Sequence, residues 1–273
     1  MRVPIALVLS SHPVPAAAVT AVAFTLAIAT GLEPWRVGVV TLAFAANQLS
    51  IGWSNDWIDA DRDRASGRRD KPVARGDVGI PTVRAAAVVA AVVAVLLGFL
   101  LGPAAGLVHL VFVASAWAYN AGLKSTILSV LPYVVSFGLL PAVVTLAAPE
   151  PRFATWWALL AGALLGVAAH FTNVLPDLDD DSKTGVRGLP HRLGLRGAGI
   201  SAFGALALGA VVVAVGTGGP FAVVGCVLVL LVAVAGCALV LRGRISRRLF
   251  VLVLVAALVL VAMLAAGGAS LAV

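Results

Sequence analysis

Apolar runs of about 20 residues, parted by short polar breaks, recur along nearly all of this 273-residue chain. Nine can be drawn, near 14–31, 37–58, 82–101, 104–122, 127–148, 153–176, 197–216, 219–241 and 248–270. A helix of that length spans the hydrocarbon of a bilayer, and in lipid only helices and closed barrels satisfy every backbone polar group. The expected fold class is therefore an all-α integral membrane protein with about nine transmembrane helices. Composition agrees: 61% of residues are hydrophobic and 11% charged, against about a quarter charged in soluble domains. Short turns are expected at Gly31 to Pro34, Gly102-Pro103, Pro149 to Pro151 and Gly216 to Pro220, while two connections, 59–81 and 177–196, are longer.

The basic balance, a formal charge of +7, would suggest nucleic acid in a soluble protein. Here the positive-inside rule accounts for it, and no nucleic-acid partner is expected. With the N-terminus placed in the cytoplasm, all but Arg36 and Arg152 of the 19 Lys and Arg residues fall on the cytoplasmic side. All ten Asp lie in 56–77 or 177–181, and the two Glu, Glu33 and Glu150, lie in opposite turns. The expectation is a multi-pass cell-membrane protein with cytoplasmic active-site loops and an extracytoplasmic C-terminus. Arg2 and the stretch broken by His12, Pro13 and Pro15 read as part of the membrane domain rather than a removable leader. Cys226 and Cys237, inside apolar segments, read as small packing residues.

Both long connections begin with carboxylates where a membrane helix ends, a costly arrangement unless something binds there. The first cluster is Asn55-Asp56-x-x-Asp59-x-x-x-Asp63 and the second Asn173-x-x-x-Asp177-x-x-x-Asp181. Residues at i, i+4 and i+8 share a helix face. Asn55, Asp59 and Asp63 have that spacing, as do Asn173, Asp177 and Asp181, with Asp56 joining the first set three residues before Asp59. Aspartates at a helix C-terminus oppose its dipole. Magnesium takes one or two carboxylates, keeps some waters, and completes its shell from substrate phosphates. Two such faces make a clamp for magnesium carrying a polyphosphate, able to stabilise charge on a leaving group. The clusters lie 118 residues apart, each followed by a basic loop. This predicts one domain over 1–273 made of two related helical halves, 1–148 and 149–273.

Arg68 and Arg192 lie in those loops, whose basic character the positive-inside rule already predicts. Lysine is more telling: the chain holds 16 Arg and only three Lys, and Lys71, Lys124 and Lys183 all fall in or beside the candidate site. Lysine binds phosphate as a compact point charge. Tyr119-Asn120-x-x-x-Lys124 ends another helix, where a tyrosine ring can face positive charge. His170 stands one turn before Asn173 and is read as cavity-lining.

These residues resemble the UbiA superfamily of intramembrane prenyltransferases. The likeness rests on both aspartate motifs, on Asp70-Lys71-Pro72, on Tyr119 to Lys124, and on Lys183-Thr-Gly185, Leu189-Pro190 and Leu193-Gly194 after the second motif. It implies helices around a central cavity open to the cytoplasm and to lipid. It implies two Mg2+ ions bridging a prenyl diphosphate, one served by Asn55, Asp59 and Asp63 and the other by Asn173, Asp177 and Asp181. Arg68, Lys71, Lys124, Lys183 and Arg192 would hold diphosphate oxygens, and Tyr119 and Lys124 join Asp59, Asp63, Asp177 and Asp181 as catalytic candidates. Many aromatic-acid prenyltransferases of the family carry Arg-Pro or Lys-Pro on the first helix, near the acceptor. Here that position reads Ser11-His12-Pro13, which places His12, with His170, on the acceptor side.

The expected function is Mg2+-dependent transfer of a prenyl group to a lipophilic or aromatic acceptor within the membrane. A terpene cyclase of the same family, which needs no separate acceptor, is the alternative, and the missing Arg-Pro leans toward it. A magnesium channel fits less well, since no acid lies mid-membrane along a path.

Overall fold

A computed structural model describes residues 3–68, 71–175, 178, 185–243 and 247–272. Its helices are α1 Val3–Ser10, α2 Pro13–Ala29, α3 Pro34–Ile58, α4 Ala60–Ala65, α5 Pro72–Arg75, α6 Ile80–Leu100, α7 Pro103–Ala121, α8 Leu131–Leu146, α9 Trp156–Val174, α10 Leu189–Thr217, α11 Gly219–Leu241 and α12 Arg247–Ala266. Short 3-10 turns occupy Leu123–Ser125, Ile127–Val130 and Gly268–Ser270. Among the described residues the only β pairing is an isolated bridge between Ala154 and Ala272. Prolines open many of the helices, where a missing N–H costs nothing and φ is preset. Gly102, at φ 136°, turns the chain between α6 and α7 in a conformation L side chains rarely adopt.

Every apolar run expected from the sequence contains a helix. Among the described residues seven helices are long and apolar enough to cross a membrane alone, and α1 with α2, bent by 64°, brings the number to eight if the pair is counted as one broken span. The apolar part of α12, Val251–Ala266, is shorter, so nine stands as an approximate count. Two boundaries differ from expectation for physical reasons. The segment before α9 is extended because Thr155 N–H donates to the Leu271 carbonyl at 2.8 Å. α10 starts earlier than expected, at Leu189, and breaks at Gly194 (φ 66°, ψ 176°) before continuing.

Each long helix packs on its neighbour in sequence, and α12 returns to α2, closing a ring. Small residues permit close approach: α6 buries Val83, Ala87, Ala90, Ala94 and Gly98 and packs on α3. Its large side chains, such as Val89 and Leu96, are exposed, as suits a face turned to lipid. The main core joins α2, α3 and α7 to α12 around Leu26, Phe44, Phe112, Phe203, Leu206 and Leu260. Two smaller clusters flank the polar end. One packs Ala6, Ala60, Val73, Val78 and Val83 against Trp53 and Trp57, and the other packs Phe171 with Ala198 and Ala202.

Candidate active site

Polar contacts between α3 and α7 set how α3 is turned. Asn47 Nδ2 lies 3.4 Å from His109 Nε2, Trp117 Nε1–H donates to Ser50 Oγ at 2.8 Å, and Asn120 Nδ2 donates to Ser54 Oγ at 2.8 Å and the Ile51 carbonyl at 3.0 Å. Asn55 Nδ2 then reaches Asn120 Oδ1 at 3.4 Å. In an apolar medium these bonds lock rotation about the α3 axis. The next turns of the same face deliver Asn55, Asp59 and Asp63 to a cavity of about 240 Å³. That volume suits a headgroup; pockets for drug-sized ligands run to about 300–1,000 Å³.

Asp59 is the hub. Lys124 Nζ lies 2.5 Å from both its carboxylate oxygens, Arg62 contacts Oδ2 at 2.8 Å, and Asn55 Nδ2 donates to Oδ2 at 3.1 Å. Burial lowers the pKa of the Lys124 ammonium, and its bond to Asp59 works against that. Burial raises the pKa of the Asp63 carboxyl; Lys71, Arg62 and Arg68 oppose the rise, and Asp59 adds to it. Arg68, Lys71, Lys124, Tyr119, His12 and His170 all line the cavity, with Arg62 and His191 beside them.

Other predicted residues stand elsewhere. Asp56 is not on the cavity wall; it is buried and bonded to Lys71. Asn173 is exposed and donates to Tyr133 Oη at 3.2 Å, and Arg192 is exposed with Nε 3.4 Å from the Arg187 carbonyl. Asp177, Asp181 and Lys183, with Asp70, lie outside the described residues. Asp61 is exposed and pairs with Arg64.

Sequence reasoning passed over Tyr133 and Ser129. The chain has only two Tyr, and Tyr133 packs edge-on against Tyr119 at 5.3 Å and lies 5.0 Å from the His170 ring. That scarcity was the available signal. Ser129 Oγ sits 3.1 Å from His170 Nε2 and accepts from Leu189 N–H at 2.9 Å, tying α9 to the start of α10.

The donor chemistry fits magnesium: one amide and two carboxylates supply hard oxygens on one face, and Lys124 already sets a positive charge on Asp59. Among the described residues no three His, Cys, Asp or Glu gather closely enough to hold a metal ion by themselves. A magnesium site that draws on waters and phosphates needs none.

The fold is that of solved UbiA homologues. A UbiA homolog from Archaeoglobus fulgidus bound to GPP and Mg2+ superposes with TM-score 0.72 at 13% identity, over 96% of this chain and 98% of that one. The apo structure of a UbiA homolog from Aeropyrum pernix K1 gives 0.69 at 19% identity over 96% and 98%. A digeranylgeranylglyceryl phosphate synthase gives 0.70 at 12% identity over 99% and 100%. Among curated proteins, none matches by sequence. At these identities the likeness concerns the fold. Family comes from the sequence itself, because the profile of the UbiA prenyltransferase family matches residues 16–245, most of the chain. This all-helical membrane protein therefore belongs to the UbiA prenyltransferase family.

Proposed function

We propose that the protein transfers a prenyl group from a prenyl diphosphate to an acceptor dissolved in the membrane, in a Mg2+-dependent reaction. One observation carries the reading: Asn55, Asp59 and Asp63 share a cavity with Arg68, Lys71 and Lys124. Oxygen donors for a cation thus face basic groups suited to phosphate. Asn55, Asp59 and Asp63 would hold one Mg2+, and Asn173, Asp177 and Asp181 a second. Bound magnesium would supply neutralising charge to the departing diphosphate.

The chain's own residues do the rest. Arg68, Lys71 and Lys124 bind diphosphate oxygens, and Lys183 and Arg192 extend that set. Lys124 exchanges Asp59 for phosphate as substrate loads, so a buried ammonium is never left unpaired. The C–O bond to the prenyl group breaks, the electron pair leaves with the diphosphate, and positive charge develops on the allylic carbons. Tyr119 offers a ring to that charge, buttressed by Tyr133 and His170. The acceptor forms the new bond and releases a proton. The polar end is assigned to the cytoplasm, supported by the crowding of Lys and Arg there.

A second reading, cyclisation without an acceptor, is favoured by one contact. His12 Nε2 lies 3.2 Å from Asp56 Oδ1 and 3.0 Å from Lys71 Nζ, so it is already engaged rather than open to an acceptor carboxylate. Incubation of the purified protein with Mg2+ and geranyl, farnesyl or geranylgeranyl diphosphate separates the readings. Transfer predicts a prenylated product only when a lipophilic or aromatic acceptor is added. A cyclic hydrocarbon or alcohol from diphosphate alone would replace it with the cyclase. Diphosphate release that survives both chelation and Asp59→Ala would sink both.

A further inference from the structure

Asp56 belongs to the first motif by sequence and to a different task by position. It follows Asn55 by one residue, about 100° further round the helix. That step takes it off the cavity wall, and its side chain is fully buried. Its Oδ1 lies 2.5 Å from Lys71 Nζ and 3.2 Å from His12 Nε2, and among the described residues its Oδ2 has no hydrogen-bond partner. Lys71 Nζ also donates to Asn55 Oδ1 at 3.3 Å.

Three stretches of chain meet at this carboxylate. His12 forms the break between α1 and α2 and, among the described residues, is the only one besides glycine at positive φ, 53°. Such a conformation persists where surrounding contacts over-determine it. Those contacts are present: Trp53 Nε1–H donates to the Leu7 carbonyl at 2.8 Å, and Gly52 lies so close to the Ser11 backbone that a Cβ there would collide. Lys71 opens α5 in the loop that follows the first motif. Asp56 itself is on α3.

A buried ion pair gains little stability over an apolar pair of similar shape, and its better-attested use is to fix a register. The geometry points to Asp56 as a positioning residue, not a magnesium ligand: it holds Lys71, and through it the α1–α2 break, against the cavity where diphosphate binds. This rests on the reading of the cavity as a magnesium–diphosphate site.

The test counts Mn2+ bound to purified protein by electron paramagnetic resonance in the presence of a prenyl thiolodiphosphate, and measures the affinity for that analogue. Asp59→Asn is expected to lose a Mn2+ ion. Asp56→Asn is expected to keep the wild-type count while binding the analogue about tenfold more weakly, a change of about 1.4 kcal/mol. Loss of an ion in Asp56→Asn would make Asp56 a ligand and overturn the assignment, and so would an unchanged analogue affinity. If Asp56→Asn does not fold, Asp56→Asn with Lys71→Met, which removes both charges, takes its place. It should keep the ion count and match the analogue affinity of Lys71→Met alone, since Asp56 acts through Lys71; a further loss would refute it. If wild type binds no analogue with Mn2+, it is the magnesium–diphosphate reading that fails.

Discussion

Asp59 and Lys124 show at single residues how this site keeps charge in a membrane protein. Each is nine-tenths or more buried, and each is the other's main partner. Removing Asp59 strips the buried Lys124 ammonium of the carboxylate that pairs with it, a loss of about 3–5 kcal/mol for buried pairs. Asp59→Ala should therefore lower the unfolding temperature in detergent as well as abolish turnover. Asp59→Ala with Lys124→Met should recover most of the temperature and none of the turnover. Asp63 yields a pH prediction. Its pKa is raised from the ordinary 3.8, chiefly by burial, so as a metal ligand it would meet proton competition at higher pH than a solvated carboxylate. Mn2+ affinity should fall on acidification earlier than for a solvated carboxylate, as a titration across pH would read. Stability runs the other way. Because the folded value exceeds the unfolded one, this group's contribution is present below 3.8 and lost as pH rises through the folded value.

At the scale of elements, the α3–α7 contacts position Asn55, Asp59 and Asp63, the proposed magnesium ligands, from outside the cavity. Asn120→Leu removes partners from Ser54, Ile51 and Asn55. It should cost about 1–3 kcal/mol for the groups left unsatisfied and weaken Mn2+ binding through Asn55. The pair Asn47→Leu with His109→Leu removes both partners at once. Among the described residues Asn47 Oδ1 has no hydrogen-bond partner, so that double variant should hold its unfolding temperature, and the Trp117 and Asn120 bonds to α3 that remain should hold its Mn2+ affinity. The turn carrying Lys124 makes a second demand. A Cβ at Gly188 would fall 2.5 Å from the Lys124 carbonyl oxygen and 2.8 Å from Ser129 Oγ. Gly188→Ala should destabilise by about 1–3 kcal/mol, the range for overpacking, and raise KM for the prenyl diphosphate by shifting Lys124; thermal melts and steady-state kinetics would read the two effects.

The whole molecule has two unlike ends. Among the described residues, one gathers Asp59 and Asp63 with Arg62, Arg68, Lys71 and Lys124. At the other, Arg36 Nη1 donates to the Ala147 carbonyl at 2.7 Å and the Leu101 carbonyl at 3.5 Å, stapling the ends of α6 and α8 beside Glu33. The orientation proposed from charge can be tested by labelling single cysteines in sealed vesicles, after replacing Cys226 and Cys237. Arg64→Cys should react from the cytoplasmic face and Arg152→Cys from the opposite one; labelling of both from one face would contradict it.

Much of this was legible in the chain because it depends on local spacing. Runs of apolar residues dictate helices in lipid whatever lies beside them, and the step of four residues puts Asn55, Asp59 and Asp63 on one face before any neighbour is known. What only the tertiary structure decided is which helix faces which. In lipid most helix surface is apolar whichever way it faces, so periodicity carries little record of partners. Lys124 meets Asp59 across 65 residues of chain, Tyr133 stands behind Tyr119, and Asp56, one residue from a cavity-lining asparagine, turns instead to Lys71 and His12. The motif placed Asp56 among the metal ligands because it counts residues along the chain. The packing of α1 and α5 against α3 set it apart, because a buried carboxylate goes where its counter-charge is.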